Sequence, residues 1–287
     1  MIKKIILLCL TIIFFHTPAY IFPQLVSKPS LQHMQAQKLI AAENCLHTLA
    51  MLKYIYPDHI REVREDCIIW TDGTCMPFGT SHALKPIGEW LDTPSLIDQL
   101  EQPLYLSGNS RDVPTKDPGR IRYEPFFRKM YGNSPEEVTK NLKTVAWMPK
   151  IFGPLTRLLL VTKINNIHKK IQQISDELEL LACIKPEYVT FLQNPGGTYC
   201  WRNIANTHRL SSHSFGMTLD INAEKSSYWQ WDLIKENRPI CEDALPTYRN
   251  SVPWEIVQIF EKYGFIWGGK WYHYDTMHFE YRPELIV

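Results

Sequence analysis

Hydrophobic residues in the middle of the chain recur every three or four positions. This spacing places them on one face of a helix of about 20 residues. The residues on this face are Ile164, Ile167, Ile171, Ile174, Leu178 and Leu181. Three more helices are predicted from their capping and stop residues. They are 31–56 between Ser30 and Pro57, a short helix from Ser134 that includes Val138 and Leu142, and 253–263 before Gly264.

The pattern changes to strict alternation toward the C-terminus. Met217, Leu219 and Ile221 alternate with polar residues, so a strand here would turn the apolar set to the core and Asp220 to the opposite face. One or two further strands are expected around Gly268-Gly269, between Phe265 and Tyr281. Helices followed by short strands indicate an α+β fold with a small antiparallel sheet flanked by helices.

Residues 67–117 break into short pieces rich in Gly, Pro, Asp and Ser, which are turn-forming residues. We therefore expect this segment to be irregular. The sequence is divided into a signal peptide (1–19), a helical and irregular N-terminal extension (20–122) and a regular domain (123–287).

The first residues have the features of a secretory signal peptide. Lys3 and Lys4 precede an apolar run from Ile5 to Phe15, and Ala19 ends a small-residue cleavage pattern. The apolar run is shorter than the roughly 20 residues that span a bilayer as a helix, so no stable membrane span is expected after cleavage. The predicted location is periplasmic or secreted.

The net charge disfavours one class of function, and the cysteine content bears on disulfide formation. The formal net charge is +1, with no long basic run, which disfavours nucleic-acid binding. Loss of the signal peptide leaves six of the seven cysteines in an oxidising compartment, where disulfides form. Only Cys67 and Cys75 suggest a local pair. The others are Cys45, Cys183, Cys200 and Cys241.

Four polar residues in the C-terminal third form a candidate zinc site. Imidazole nitrogen and carboxylate oxygen bind Zn²⁺, and a catalytic site typically keeps three protein ligands and one open position. We expect His213, Asp220 and His278 to be the ligands, with Gly216 allowing the chain to bend between the first two. Asp275 is expected on a loop, where it would handle the proton of the attacking water, and His278 would begin a strand.

Two neighbouring residues have open roles. Glu280 lies two positions beyond His278 and shares its strand face; it would hold an imidazole or a substrate group, act as a ligand, or form a structural salt bridge. His273 would either assist at the site or stand at the edge of an aromatic cluster.

Five segments of the sequence together form a recognisable pattern. They are Gly196–Arg202, Arg209–Gly216, Asp220–Asn222, Trp267–Trp271 and Asp275–Glu280. Through these segments the sequence resembles the M15 peptidases over roughly residues 123–281. That family includes D-alanyl-D-alanine carboxypeptidases of the VanY type and phage-type L-alanyl-D-glutamate endopeptidases.

The resemblance implies specific roles and a fold. Its S-x-H-x-x-G-x-x-x-D pattern falls on Ser211, His213, Gly216 and Asp220, and its D/E-x-x-H pattern falls on Asp275 and His278. It implies a zinc cofactor held by the three ligands, Asp275 as catalytic carboxylate, and the fold shared with the hedgehog signalling domain. Substrate binding is implied for Ser211 and for an arginine that contacts the substrate carbonyl or carboxylate, with Arg202 as first choice and Arg209 as reserve. Arg202 is also expected to act in catalysis, by polarising the scissile carbonyl.

The expected function is that of a secreted zinc metallopeptidase acting on the stem peptide of peptidoglycan, foremost as a D-alanyl-D-alanine or L,D-carboxypeptidase. Arg202, Arg209 and Lys270 are all available to bind a terminal carboxylate, so an L-alanyl-D-glutamate-type endopeptidase stays open. A non-catalytic zinc domain that binds peptide or wall, and a wall-binding role for the extension, are the rival interpretations. The oligomeric state is left open.

Overall fold

The computed structural model describes residues 47–80, 87–101, 105–108, 117–242, 244 and 247–286. The predicted signal peptide, and residues 31–46 of the predicted helix 31–56, lie outside the described residues. Residues 47–55 are helical, as predicted, and form α1. Among the described residues, no helix is both long and apolar enough to cross a lipid bilayer.

The extension contains a three-stranded antiparallel sheet, so the prediction that residues from Cys67 onward are irregular was wrong. Its strands are β1 (Ile60–Val63), β2 (Cys67–Trp70) and β3 (Cys75–Pro77). The turn residues Asp72 and Gly73 connect two of these strands. Gly73 has φ 88°, and Asp72 Oδ1 accepts a hydrogen bond from the Thr74 amide at 3.0 Å. The turn-forming residues of this segment therefore connect very short strands. Two short helices follow, α2 (Ile87–Asp92) and α3 (Leu96–Leu100).

The middle of the chain consists of α-helices and one antiparallel β-hairpin. Its elements are α4 (Glu124–Tyr131), α5 (Pro135–Thr139), β4 (Leu142–Ala146), α6 (Pro149–Phe152), β5 (Leu158–Thr162), α7 (Ile167–Ile184) and α8 (Val189–Leu192). The predicted helix at Ser134 is confirmed: Ser134 Oγ accepts from the Glu137 amide at 3.3 Å, and Val138 is buried. Leu142, however, belongs to β4, because α5 ends at Thr139 and the chain pairs with β5.

The C-terminal part forms a four-stranded antiparallel sheet with the order β6-β7-β9-β8. Its elements in chain order are β6 (Pro195–Gly197), β7 (Thr218–Asn222), α9 (Trp229–Lys235), α10 (Trp254–Lys262), β8 (Phe265–Trp267) and β9 (His278–Tyr281). The α+β class with small antiparallel sheets is as predicted. The likeness to the hedgehog domain stays a prediction.

One face of this sheet is covered by helices. Leu219 and Ile221 of β7 are fully buried, and the ring of Phe279 on β9 stacks on Phe260 of α10 at 3.8 Å between centroids. The alternation predicted for β7 is therefore confirmed, and it leaves the other face of the sheet for polar side chains.

The extension packs against the rest of the protein through its aromatic residues. Tyr56 and Trp70 contact Phe126 of α4, with ring centroids 5.9 and 5.6 Å away. These three residues belong to the same hydrophobic cluster as Leu219 and Phe279 of the C-terminal sheet. The extension is therefore bound to the remainder by a shared core.

The cysteines that the structure describes are all free thiols. They are Cys67, Cys75, Cys183, Cys200 and Cys241. Cys67 on β2 and Cys75 on β3 lie on neighbouring strands. The structure gives no support to the prediction of disulfides among these five residues, and Cys45 lies outside the described part of the chain.

Candidate metal centre

His213, Asp220 and His278 converge, as predicted from their residue types. Each offers one ligand atom, and these atoms lie within 4.8 Å of one another. Asp220 is central: its Oδ2 is 3.1 Å from His213 Nε2, and its Oδ1 is 3.0 Å from His278 Nδ1. Two imidazoles and one carboxylate form a donor set suited to zinc.

The strand register places two of these residues together. β7 and β9 are antiparallel, and Asp220 lies directly opposite His278. Residues opposite each other in an antiparallel pair project from the same face of the sheet. The two side chains therefore meet on the face opposite to that of Leu219 and Phe279, and His278 is buried there. His278 is also the first residue of β9, as predicted.

His213 reaches the site from a short 3-10 turn before β7. The turn spans Ser212–Phe215, and Ser211 Oγ accepts a hydrogen bond from the His213 amide at 3.4 Å. Gly216 ends the turn in the left-handed conformation at φ 63°. A Cβ atom at this glycine would lie 2.7 Å from Leu142 Cδ2. The predicted bend at Gly216 is confirmed, and the site has no room for a side chain there.

In both imidazoles, the ring nitrogen that does not face Asp220 has a hydrogen-bond partner, and this contact orients the ring. His213 Nδ1 lies 3.0 Å from the carbonyl oxygen of Thr198, which can only accept, so Nδ1 donates and Nε2 faces Asp220. His278 Nε2 lies 3.2 Å from Glu280 Oε2, which leaves Nδ1 toward Asp220. Such outer partners set the tautomer and ring orientation of metal-binding histidines. The predicted supporting role of Glu280 matches this geometry.

Charge interactions shift the pKa values of Asp220 and His278 in opposite directions. Burial would raise the pKa of Asp220, but His213 and then His278 outweigh it and hold that pKa well below its usual range. Burial lowers the pKa of His278, yet hydrogen bonds to Asp220 and Glu280 raise it to about 10. Two carboxylates, those of Asp220 and Glu280, thus flank the His278 ring and favour positive charge there. A bound divalent cation would supply this charge in place of the ring proton.

Asp275 lies beside the cluster on a loop, as predicted. Its amide donates to the Gly268 carbonyl at 3.0 Å, and its own carbonyl accepts from the His278 amide at 3.3 Å. Its carboxylate atom Oδ1 is buried and has no hydrogen-bond partner. Burial first, and the nearby charge of Asp220 second, raise the pKa of Asp275 to about 7. A carboxylate with such a pKa is suited to exchange protons near neutral pH.

Arg122 of the extension also reaches this centre. Its Nε lies 2.9 and 3.1 Å from the two carboxylate oxygens of Glu280, and Nη2 lies 2.5 Å from Oε2. Arg122 is not among the site residues predicted from the sequence. No local pattern connects it with Glu280, since the two are 158 residues apart in the chain.

A cavity of about 240 Å³ lies next to Arg122. Its lining residues are Leu91, Asp92, Thr93, Pro94, Arg120, Arg122, Tyr123, Glu124, Pro125, Phe127, Ile204, Arg209, Leu210 and Phe215. The pKa of Arg209, which lines this cavity, is lowered by burial and then by the nearby charge of Arg120. The ion pair of Arg209 with Asp92 spans 3.2 Å, and the Asp92 side chain is 64% exposed.

The remaining predicted site residues lie elsewhere. Arg202 is exposed, and its Nη1 donates to the neighbouring Asn203 carbonyl at 3.4 Å. His273 is buried and outside the metal cluster, with Nδ1 2.6 Å from Asp117 Oδ2 and its amide donating to Asp117 Oδ1 at 2.8 Å. It therefore anchors the extension and does not stand at an exposed edge.

The comparison with known families covers the same part of the chain. Residues 205–281 match the family model described as D-alanyl-D-alanine carboxypeptidase, an M15 peptidase family. The matched segment contains the three clustered residues, Asp275 and Arg209; it excludes Arg122 and Arg202. No curated protein and no solved structure matches the chain. The segment 205–281, about a quarter of the chain, is thus similar to the M15 peptidase family.

Proposed function

We propose that this protein is a zinc-dependent carboxypeptidase that removes the terminal D-alanine from the stem peptide of peptidoglycan, in the periplasm or outside the cell. The observation that carries the proposal is the convergence of His213, Asp220 and His278 beside Asp275, whose carboxylate atom Oδ1 is buried without a hydrogen-bond partner. The match of residues 205–281 to the M15 family model supports the peptidase class.

Zinc fits this cluster because two oriented imidazoles and one ionised carboxylate supply three protein donors. When bound there, zinc would supply Lewis acidity toward the scissile carbonyl and would acidify a water molecule. The residues that would hold the ion are His213 through Nε2, His278 through Nδ1 and Asp220 through its carboxylate.

Asp275 is the proposed general base and acid. Its free Oδ1 would take a proton from the attacking water and return it to the departing amine. Its pKa of about 7 shows how strongly the buried site disfavours an isolated negative charge there. A cation held by the neighbouring residues would lower this pKa, so Asp275 would begin the cycle ionised. A domain that only binds peptide has no need of such a carboxylate.

Arg209 is the proposed receptor for the terminal carboxylate of the substrate. It lines the cavity, and its partner Asp92 is exposed enough to be displaced. Lys270 is already engaged, since its Nζ lies 2.8 Å from Glu261 Oε1 and it is buried. Arg202 is exposed and does not line this cavity. A guanidinium can pair with both oxygens of a carboxylate, which suits a C-terminal residue.

The test is hydrolysis of defined muropeptides with and without a chelator, followed by mass spectrometry. Loss of one terminal alanine that stops on chelation and returns with zinc supports the proposal. A longer released peptide would identify an endopeptidase instead. If no chelator-sensitive product forms while the protein still binds the muropeptide, the catalytic assignment is wrong.

A further inference from the structure

We propose that the N-terminal extension is part of the metal centre, because Arg122 acts through Glu280 to position His278. The inference rests on the proposed zinc site and adds a residue outside the segment 205–281 that matches the family. Arg122 is a positioning residue, since it contacts Glu280 and none of the three clustered residues.

The contact between Arg122 and Glu280 has the geometry of a specific recognition pair. The guanidinium approaches both carboxylate oxygens, at 2.5, 2.9 and 3.1 Å. The Glu280 side chain is fully buried, and that of Arg122 is 15% exposed. A buried carboxylate is costly unless it is paired and hydrogen-bonded. Arg122 therefore fixes the position of the Glu280 carboxylate inside the protein.

Glu280 has a second cationic neighbour, but that neighbour is shared. Arg282 Nη1 donates to Glu280 Oε1 at 3.1 Å, while its Nε donates to Glu284 Oε1 at 2.5 Å. Glu284 in turn accepts from the Tyr56 hydroxyl at 2.5 Å. The charge of Arg282 is thus divided between two buried carboxylates. Arg122 supplies a second positive charge to Glu280, in addition to that of Arg282.

The segment that carries Arg122 is fixed at several points. The Trp271 indole donates to the Pro118 carbonyl at 2.6 Å, and Arg282 donates to the Gly119 carbonyl at 3.1 Å. Two contacts from His273 hold Asp117 at its start. These contacts give Arg122 a defined position relative to the metal centre.

The consequence for zinc follows from the two nitrogens of His278. Glu280 accepts from Nε2, so Nδ1 remains for the metal. Without Arg122, the Glu280 carboxylate would turn toward Arg282, and the orientation of the ring would be lost. Loss of such an outer partner typically weakens metal binding about 10- to 100-fold. A purely electrostatic role predicts the opposite, because removing a positive charge near a cation site tightens binding.

The experiment compares the zinc dissociation constant of the full chain with that of Arg122→Gln, measured by competition with a chromophoric chelator. Arg120→Gln is the matched control. Arg120 lies two residues away and pairs with Glu242 at 2.7 Å and Asp117 at 3.3 Å, with no contact to Glu280. We expect both variants to lower the melting temperature of the metal-free protein. Only Arg122→Gln is expected to weaken zinc binding, by about tenfold or more.

Zinc binding by Arg122→Gln that is as tight as wild type, or tighter, overturns the inference, as does equal weakening in Arg120→Gln. If Arg122→Gln does not fold, Arg122→Lys provides the test. Lysine keeps the charge but cannot span both oxygens of Glu280, so we expect weaker binding, and wild-type affinity would overturn the positioning role. If the wild-type chain itself does not bind zinc, the proposed function fails, whichever way the variants behave.

Discussion

Asp220 and His278 lie directly opposite each other on the neighbouring strands β7 and β9, and their side chains approach to 3.0 Å. The two residues are 58 positions apart in the chain. A register shift of one residue would send one of the two side chains to the opposite face of the sheet. The candidate metal centre therefore depends on the pairing of these strands as much as on the residue types.

Replacement of a ligand should remove zinc from the protein. We expect His278→Ala to lose both bound zinc and peptidase activity, because a site with two ligands left holds the ion weakly. Metal content after dialysis, measured by plasma mass spectrometry, checks this. The exposed His208 offers a control for metal content, and His208→Ala should retain the ion. Equal zinc in both variants would exclude His278 as a ligand.

Replacement of the proposed base should separate binding from catalysis. Asp275→Asn preserves the shape of the side chain but cannot take up a proton, so we expect kcat to fall by about 10²- to 10⁴-fold with zinc still bound. Steady-state kinetics on a muropeptide, together with metal analysis of the same sample, provide the measurement. Near-full activity in Asp275→Asn would remove this residue from the mechanism.

Replacement of the proposed carboxylate receptor should change substrate affinity. We expect Arg209→Gln to raise KM for a peptide with a free C-terminus by roughly 10- to 100-fold, the equivalent of about 1.5 to 3 kcal/mol for a charged hydrogen bond. Arg202→Gln is the matched control, because Arg202 is exposed and does not line the cavity. A larger effect on KM from Arg202 than from Arg209 would reverse the assignment.

The glycine before β7 should tolerate no side chain. We expect Gly216→Ala to destabilise the protein by about 1 to 3 kcal/mol, because the residue adopts φ 63° and its Cβ would lie 2.7 Å from Leu142 Cδ2. Gly88 is a useful contrast: it lies in α2, and a Cβ there meets nothing within 4 Å. Gly88→Ala should stabilise by about 0.5 to 1 kcal/mol. Urea unfolding of both variants checks the opposite signs.

Acid should loosen the attachment of the extension. Burial raises the pKa of Asp117, but the hydrogen bond from His273 and the charge of Arg120 outweigh it, so the pKa lies below its ordinary value. A lowered carboxyl pKa contributes stability that is present above the unfolded-state pKa and is lost as the pH falls through the folded-state pKa. The free energy of unfolding of Asp117→Asn should therefore decline less than that of wild type on acidification below about pH 4. Parallel curves from pH-dependent urea unfolding would contradict this.

Local sequence signals were sufficient to predict those elements whose ends depend only on residues within the element. The caps and periodicity predicted α5, α7 and α10, because helix ends are set by residues within one turn. The extension was misread for the same reason: its strands have only three or four residues, which is too short for alternation to show. Their stability comes from pairing and from packing on Phe126, which local patterns do not contain.

The sequence by itself determined the donor types of the metal centre, the bend at Gly216 and the start of β9 at His278, since these follow from side-chain chemistry and strand alternation. Only the tertiary structure decided which distant residues support that centre. It brought Arg122 to Glu280 across 158 positions and gave Arg209 the wall of the cavity. The physical reason is that burying a charge requires a partner in space, and chain folding chooses that partner without any constraint on its distance in sequence.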